Sequence, residues 1–220
     1  MSALTLVLIG WVVASVPDFP GQAAGTRLAL RKVFLLPGIR SVLFVTLAYV
    51  LAHNLLYTYI APFVAPAGMA DAIDTVLLVF GITALAGIWI TGVLIDRWLR
   101  ELVLASTVLF GLAAVALGVW GGVPMVVYAG IGVWGLAYGG VATLFQTAST
   151  KTAGDAADVA QSMIVTVWNV AIAGGGVLGG VLLDTRGAGA FPWAVVALLV
   201  PTLVVAWRAR GHGFPPAHRA

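Results

Sequence analysis

The stretch SVLFVTLAYVLAHNLLYTYIAPFV, from Ser41 to Val64, decides the fold class. It contains no Asp, Glu, Lys or Arg, and it exceeds the ~20 residues that a helix needs to cross a bilayer. A histidine, an asparagine and two tyrosines lie in its second half. Because such groups are unfavourable in lipid, the stretch predicts a spanning helix with one face turned away from lipid.

Apolar stretches of this kind recur along the chain. Hydrophobic residues make up 61% of the 220 residues and charged residues 9%, against about 25% charged in a soluble domain, and the mean hydropathy is +1.07. These values predict an all-α integral membrane protein. Cysteine is absent, which excludes disulfides and thiolate metal sites. Seven apolar segments are predicted to be helices: 1–17, 41–64, 74–95, 102–120, 123–146, 162–183 and 190–207.

The charged residues are distributed unevenly among the loops. Ten of the eleven lysines and arginines fall in alternate loops and in the C-terminal tail, whereas the intervening loops carry Asp71, Asp74 and Asp184, with Arg186 as their single cation. Since cations concentrate on the cytoplasmic side, we expect a plasma (inner) membrane protein with its N-terminus outside and its C-terminus in the cytoplasm. The pI of about 9.6 then reflects orientation, and no nucleic-acid partner is expected.

The chain divides into four predicted parts. Segment 1–17 lacks a cationic start, so it is predicted to be a partial spanning helix and not a signal peptide. Residues 18–40 contain Pro, Gly and Arg and are predicted to be a cytoplasmic linker. Residues 41–207 are predicted to form a six-helix transmembrane bundle, and 208–220 a cytoplasmic tail.

A short repeat relates two of the segments. GVLID (Gly92–Asp96) ends the third segment and GVLLD (Gly180–Asp184) ends the sixth. The charge distribution places the first copy at the cytoplasmic face and the second at the outer face. The pattern therefore predicts two three-helix units of opposite topology, an arrangement found in transporters.

Three motifs together resemble a known family: YTYIAPFV (Tyr57–Val64), GVLIDRWLR (Gly92–Arg100) and WNVAIAGGGVLGGVLLD (Trp168–Asp184). In this order they are similar to the C-terminal half of a major facilitator superfamily transporter of the drug/proton-antiporter group, which includes arabinose-efflux and chloramphenicol-resistance-type exporters. The resemblance covers nearly the whole chain. It departs from the family at Leu99, where the loop motif usually has glycine.

The resemblance implies a fold and a function. The first segment corresponds to the family's sixth helix, and the rest corresponds to its C-terminal six-helix bundle. The implied function is export of a small organic molecule, such as a drug or a sugar, by alternating access, with no enzymatic activity. The implied partners are the lipid bilayer, the small-molecule substrate, and a missing N-terminal six-helix bundle or a second copy of the chain. No cofactor is expected, although coupling to protons fits the family.

Candidate cavity residues lie on the second segment. On a helix, Tyr49, His53 and Tyr57 fall within about an 80° arc, with Asn54 at its edge. Polar groups within a membrane usually face a cavity or a bundle interior, and histidine can bind a proton near neutral pH. We therefore predict that these four residues, together with Asn169 of the sixth segment, line the substrate cavity. Structural hydrogen bonds between helices are the alternative.

Two further groups of residues have predicted roles. Gly92, Asp96, Arg97 and Arg100 form the loop motif, which acts as a gate between the halves of similar transporters; solvation and anchoring at the membrane end are the alternative. Small residues spaced four apart allow close helix packing, and this role is predicted for Gly135, Gly139, Gly175, Gly176, Gly179 and Gly180.

Other membrane-protein classes fit less well. Both lysines, Lys32 and Lys151, lie in predicted loops, which disfavours a retinal protein. The Gly-x-Ser-x-Gly motif of a serine hydrolase is absent, and no loop resembles a channel filter. Another seven-helix protein, such as a receptor or channel, stays an alternative, as does a truncated fragment or split half without transport activity of its own.

Overall fold

The computed structural model describes residues 2–15, 17 and 30–215, and in this part of the chain all regular secondary structure is helical. The prediction of an all-α membrane protein is confirmed. Four helical stretches, 39–58, 70–120, 124–186 and 188–211, are long and apolar enough to cross a membrane. The α-helices are α1 (Ser2–Ser15), α2 (Leu30–Phe34), α3 (Ile39–Thr58), α4 (Ile60–Val64), α5 (Ile73–Trp120), α6 (Pro124–Gly139), α7 (Val141–Ala153), α8 (Ala157–Arg186) and α9 (Phe191–Arg208).

The first two helices meet the bundle to different degrees. All side chains described in α1, from Thr5 to Ser15, are exposed. Most of the predicted linker, 18–29, lies outside the described residues, and its last part contains α2, in which only Val33 is buried. The predicted boundaries of these two parts stay predictions.

The third and fourth predicted segments form one helix with a sharp kink. Within α5, Trp98 has φ −128° and ψ 28°, which is not helical. Residues of the arm before it, such as Gly87 and Thr91, line the same crevice as Leu102 and Ser106 of the arm after it. The second arm of α5 therefore folds back beside the first. A single residue makes the turn, although Leu99 replaces the expected glycine.

The fifth predicted segment is divided into α6 and α7, which meet at Gly140. The Cβ of any other residue at Gly140 would overlap the side chain of Thr91 on α5. The chain then reverses near Gly154, which has a positive φ of 53°. After this reversal, Gln161 of α8 donates a hydrogen bond to the carbonyl of Gln146 at 3.1 Å, which holds α8 beside α7.

The helices pack as two related sets of three. The first set is α3 with the two arms of α5, and the second is α6–α7 with α8 and α9. Helix α3 packs against α8 and α9 of the second set, while α6 packs against α5 of the first. Each set therefore packs its first helix against the other set, an arrangement that fits an inverted repeat.

Glycines allow the closest of these contacts. A Cβ at Gly175 would lie 2.7 Å from Cβ of Asn54, and one at Gly179 would lie 2.5 Å from the ring of Tyr59. On the other side of the bundle, a Cβ at Gly139 would overlap the backbone of Ala84. Each glycine thus lets its helix approach a helix of the other set within the distance that a side chain would block.

Three predicted packing glycines remain. Gly135 faces α5, whereas Gly176 and Gly180 lie near Tyr59. A Cβ at Gly135 would lie 2.5 Å from the carbonyl oxygen of Phe80. A Cβ at Gly176 would meet nothing within 4 Å, and one at Gly180 would lie 2.9 Å from the hydroxyl of Tyr59. That hydroxyl donates a 2.8 Å hydrogen bond to the carbonyl of Gly176. Tyr59 thus lies between α3 and α8.

Candidate functional site

The polar residues of α3 contact a cluster of aromatic rings inside the bundle. Adjacent ring centroids lie between 3.4 and 6.5 Å apart, separations at which aromatic rings attract one another. We refer to these rings, contributed by α3, α5, α6 and α7, as the His53 cluster. Its members are Tyr49, His53, Tyr57, Phe80, Phe110, Trp134, Tyr138 and Phe145.

The inner end of the cluster belongs to the bundle core. Tyr49 is fully buried there, and its ring contacts Phe110 at 5.5 Å and Phe145 at 5.6 Å. Its hydroxyl donates to the carbonyls of Ser106 at 3.4 Å and Ala137 at 3.3 Å. Tyr49 was predicted to line the cavity, but here it connects both sets of helices from within, because its phenol finds its acceptors between them.

His53 lies in the middle of the cluster and is only 5% exposed. Its ring is stacked between Tyr138, at 3.4 Å and 7°, and Tyr57, at 5.2 Å and 22°. Trp134 lies 5.3 Å from it. Among the residues that the structure describes, neither Nδ1 of His53 nor Nε1 of Trp134 has a hydrogen-bond partner. An unpaired buried group of this kind costs about 1–3 kcal/mol.

The outer end of the cluster reaches the surface of the bundle. Tyr57 is 41% exposed, and Phe80 and Tyr138 are partly exposed. Tyr57 contacts Phe80 at 5.6 Å. The cluster therefore forms a continuous path of rings from the surface to the core, with two unpaired nitrogens beneath its outer layer.

The two predicted asparagines do not join the cluster. Asn54 is half-buried on the side of α3 that meets α8, and its amide donates to the carbonyl of Val50 at 2.8 Å. Asn169 is exposed on α8 and donates to Val165 of its own helix at 2.8 Å. Each amide therefore bonds to a carbonyl of its own helix.

The loop motif is divided by the kink in α5. Gly92, Asp96 and Arg97, before the kink, are exposed. Arg100, after it, is only 8% exposed. Its guanidinium donates to the carbonyls of Ala206 at 3.0 Å, Trp207 at 2.7 Å and Phe214 at 2.8 Å. The first three residues can meet a neighbouring bundle, whereas Arg100 holds the end of α9 and the chain that follows it.

That following chain is packed into one end of the bundle. Gly38 and Gly213 approach so closely that a Cβ on Gly38 would lie 2.5 Å from the Gly213 nitrogen. Thr152 at the end of α7 donates to the carbonyl of Gly213 at 3.4 Å, and Phe214 is fully buried. We refer to residues 206–214 together with Arg100 as the Arg100 tail site. It joins the start of α3, the kink of α5 and the ends of α7 and α9.

The sequence indicated only part of the His53 cluster. Tyr49, His53 and Tyr57 were found because polar side chains repeat on one helical face. Trp134 and Tyr138, one helical turn apart on α6, carry no such signal, because tryptophan and tyrosine are also enriched at the membrane interface. Gly140, which fits against Thr91, was missed because a single glycine in a glycine-rich segment has no distinctive spacing. No group of three or more metal-ligating side chains occurs in the described part of the chain.

Comparison with known proteins agrees with this architecture. A probable sugar efflux transporter of Mannheimia succiniciproducens is 29% identical over 192 residues, which are 84% of this chain and 47% of that protein. The purine ribonucleoside efflux pump NepI of Salmonella paratyphi C is 29% identical over 213 residues, 95% of this chain and 53% of the pump. The predicted resemblance to major facilitator efflux transporters is confirmed.

The same comparison shows how much of each relative's length the chain covers. NepI of Salmonella typhimurium gives the same 29% identity over the same 213 residues. No family model matches the chain. The chain spans about half the length of the relatives it matches. It is therefore a membrane protein related to efflux transporters along most of its own length.

Proposed function

We propose that the chain is one six-helix half of a secondary transporter that exports a small organic molecule by alternating access. The observation that carries the proposal is the similarity to efflux transporters over 84% and 95% of the chain. The packing of two three-helix sets around α3 and α6 supports it, because transporters place their substrate sites between such repeats. The chain corresponds to the C-terminal half in this proposal.

In this proposal the His53 cluster forms one wall of the substrate path. It lies between the first helices of the two sets, and its outer rings reach the surface. Unpaired buried nitrogens suit a site whose polar partner arrives with the substrate. His53 is also the candidate proton carrier, since an imidazole nitrogen can take up and release a proton.

The relatives suggest two kinds of cargo. One is described as a probable sugar efflux transporter and the other as a purine ribonucleoside efflux pump. Sugars and nucleosides are therefore the first compounds to examine, with small drugs next. Disruption of the gene should raise the accumulation of one labelled compound in intact cells, and the gene returned on a plasmid should restore export. Unchanged accumulation of all three classes would favour an inactive fragment or another kind of membrane protein.

The other half of the path has to come from a second bundle. In the proposal this is either an N-terminal six-helix bundle joined to the chain or a second copy. An antibody to the tail RGHGFPPAHRA (210–220) distinguishes these on an immunoblot of native membranes. A band near 22.7 kDa favours a second copy or a separate partner, and a band near twice that mass favours a joined bundle.

We also propose that the Arg100 tail site faces the cytoplasm of an inner-membrane protein. The start of α3, the kink of α5 and the ends of α7 and α9 meet there and bear cations, which favours this orientation. Because the chain has no cysteine, single cysteines can report it. A membrane-impermeant maleimide should label Gly122→Cys in intact cells but label Asp155→Cys only after permeabilisation. The reverse pattern would contradict the orientation.

A further inference from the structure

An apolar groove runs along the outside of the bundle between the second arm of α5 and α9. It consists of two crevices with volumes of about 220 and 440 Å³, which Val108 and Leu203 line in common and so join into one. Its walls are formed by residues within 104–115 on α5 and 196–207 on α9, and every residue that lines it is uncharged. Val108 is exposed, so the groove opens toward the lipid.

The length of the groove selects the kind of molecule that can lie in it. Each wall, 104–115 on α5 and 196–207 on α9, extends about 16 Å at the helical rise of about 1.5 Å per residue. The hydrocarbon core of a bilayer is about 30 Å thick, so the groove covers about the depth of one leaflet. A spanning helix of another protein would extend far beyond it, whereas an acyl chain of one phospholipid matches this depth.

Arginines lie at the end of the groove nearest the Arg100 tail site. On α9, Arg208 follows the groove residue Val204 by four positions and therefore lies on the same helical face, one turn further along. On α5, Arg100 precedes the groove residue Leu104 by the same spacing. Arg208 and Arg210 are exposed. Both walls of the groove thus lead to a cation at this end.

A neighbouring carboxylate does not cancel this charge. Glu101 and Arg210 both lie close enough to Arg100 for their charges to interact with its guanidinium. The guanidinium itself is bound to backbone carbonyls of α9 and the tail. With Glu101 set against Arg100, Arg208 and Arg210, this end of the groove is positive.

We propose that the groove binds an anionic phospholipid, with one acyl chain between α5 and α9 and the phosphate at Arg208 and Arg210. Basic sites between helices at the cytoplasmic side of a membrane suit anionic head groups. Trp207 is exposed between the apolar and the charged part, at the level where tryptophan meets the head groups. A zwitterionic lipid has the same chains but no net charge, so the arginines favour the anionic one. The inference does not depend on transport by the chain.

Gly111 provides a position at which the groove can be filled without disturbing the bundle. It lines the groove, and a Cβ placed there would meet no atom within 4 Å. A leucine at this position would therefore extend into the space assigned to the acyl chain. Gly81, on the first arm of α5 and outside the groove, has equally open surroundings. Gly81→Leu is therefore the matched control for Gly111→Leu.

The test uses the full-length protein reconstituted in vesicles that contain a photoreactive lipid. The two probes are phosphatidylglycerol and phosphatidylcholine, each with a diazirine in one acyl chain, and mass spectrometry identifies the crosslinked peptides. We expect phosphatidylglycerol to label the peptides that contain Val108 and Leu203 at least fivefold more than phosphatidylcholine does. Labelling of other exposed apolar positions should differ little between the lipids and is the internal standard. Excess inorganic phosphate should leave the pattern unchanged.

Variants then separate the head-group site from the acyl-chain site. Arg208→Gln and Arg210→Gln should each lower groove labelling by phosphatidylglycerol about fivefold, the effect of one cation at a membrane surface, and leave labelling by phosphatidylcholine unchanged. Arg186→Gln, which removes an exposed cation at the far end of α8, is the control and should change neither. Gly111→Leu should lower groove labelling by both lipids, whereas Gly81→Leu should not.

Four results would overturn the inference. Equal groove labelling by the two lipids would show that the arginines select no head group. Groove labelling that Gly111→Leu and both arginine variants leave unchanged would place the lipid elsewhere. Displacement of phosphatidylglycerol by inorganic phosphate would indicate a site for free anions. Labelling of other apolar surfaces but not of the groove, by either lipid, would show that another helix or a second copy covers it.

Discussion

The His53 cluster and the Arg100 tail site both bury polar groups in a largely apolar helical bundle, but only the Arg100 tail site provides every buried side-chain nitrogen with a hydrogen-bond partner. The guanidinium of Arg100 donates to three backbone carbonyls within 3.0 Å. In the His53 cluster, two nitrogens have no partner, and they are two of the four such buried side-chain atoms in the part of the chain that the structure describes. Satisfied groups stabilise a fold, whereas unsatisfied ones weaken it unless a ligand completes them.

The difference teaches that burial alone does not separate structural from functional polar residues. Arg100 was predicted to belong to a gate, and His53 to a cavity, from their positions in apolar sequence. The three hydrogen bonds of Arg100 favour a structural role, whereas the unpaired nitrogen of His53 fits the proposed contact with a substrate. The following changes test this contrast, beginning with the one expected to have the largest effect.

Replacement of Arg100 should cause the largest loss of stability. Arg100→Met removes three hydrogen bonds from a charged donor, each of which contributes about 1.5 kcal/mol or more, and leaves carbonyls of α9 and the tail without partners. We expect a loss of several kcal/mol in the free energy of unfolding, measured as a lower midpoint of thermal unfolding in detergent. Arg97→Met, three residues earlier and exposed, is the control and should change the midpoint little. Equal midpoints for both variants would contradict the assigned role of Arg100.

The contact between Gly38 and Gly213 should be the next most sensitive feature. Gly38 has φ +92°, and a Cβ there would lie 2.5 Å from the Gly213 nitrogen. Gly38→Ala therefore combines backbone strain of about 1–2 kcal/mol with a steric clash. Gly68 has φ +73° and open space around it, so Gly68→Ala reports the strain alone. A thermal midpoint for Gly38→Ala no lower than that for Gly68→Ala would show that the tail is not held against α3.

Substitutions in α8 should give a smaller but position-dependent effect. A Cβ at Gly179 meets the ring of Tyr59 at 2.5 Å, whereas one at Gly176 meets nothing within 4 Å. Gly179→Ala should therefore lower the thermal midpoint by separating α3 from α8. Gly176→Ala should leave it unchanged or raise it slightly, since alanine favours helix over glycine by about 1 kcal/mol. A lower thermal midpoint for Gly176→Ala than for Gly179→Ala would contradict the contact between Gly179 and Tyr59.

The sequence predicted the helices well because their signal is local. Long apolar runs indicate the helical segments with little help from distant contacts, and the GVLID repeat indicated two related sets. What escaped prediction depends on residues brought together only by folding. No sequence pattern in residues 206–214 indicates that their carbonyls bind Arg100. The turn at Trp98 could not be predicted either, because no glycine lies beside it to mark a turn.

The candidate site was found in part for the same reason. A stripe of polar side chains on α3 can be recognised from spacing alone, and His53 and Tyr57 of that stripe belong to the aromatic cluster. Their place on a substrate path stays a prediction. The spacing cannot distinguish a tyrosine that lines a path from one that crosslinks helices. Tyr49 belongs to the second kind, because carbonyls of α5 and α6 accept its hydroxyl.

The most direct test of the contrast combines stability and transport in one variant, His53→Phe. Phenylalanine keeps the stacked ring but removes the unpaired nitrogen, so the account predicts a thermal midpoint that is unchanged or higher, by up to about 1 kcal/mol of unfolding free energy. Export of the transported compound should nevertheless fall about tenfold or more. Export at the unmodified rate, or a fall in the midpoint as large as that of Arg100→Met, would show that His53 is a structural residue and would contradict the account.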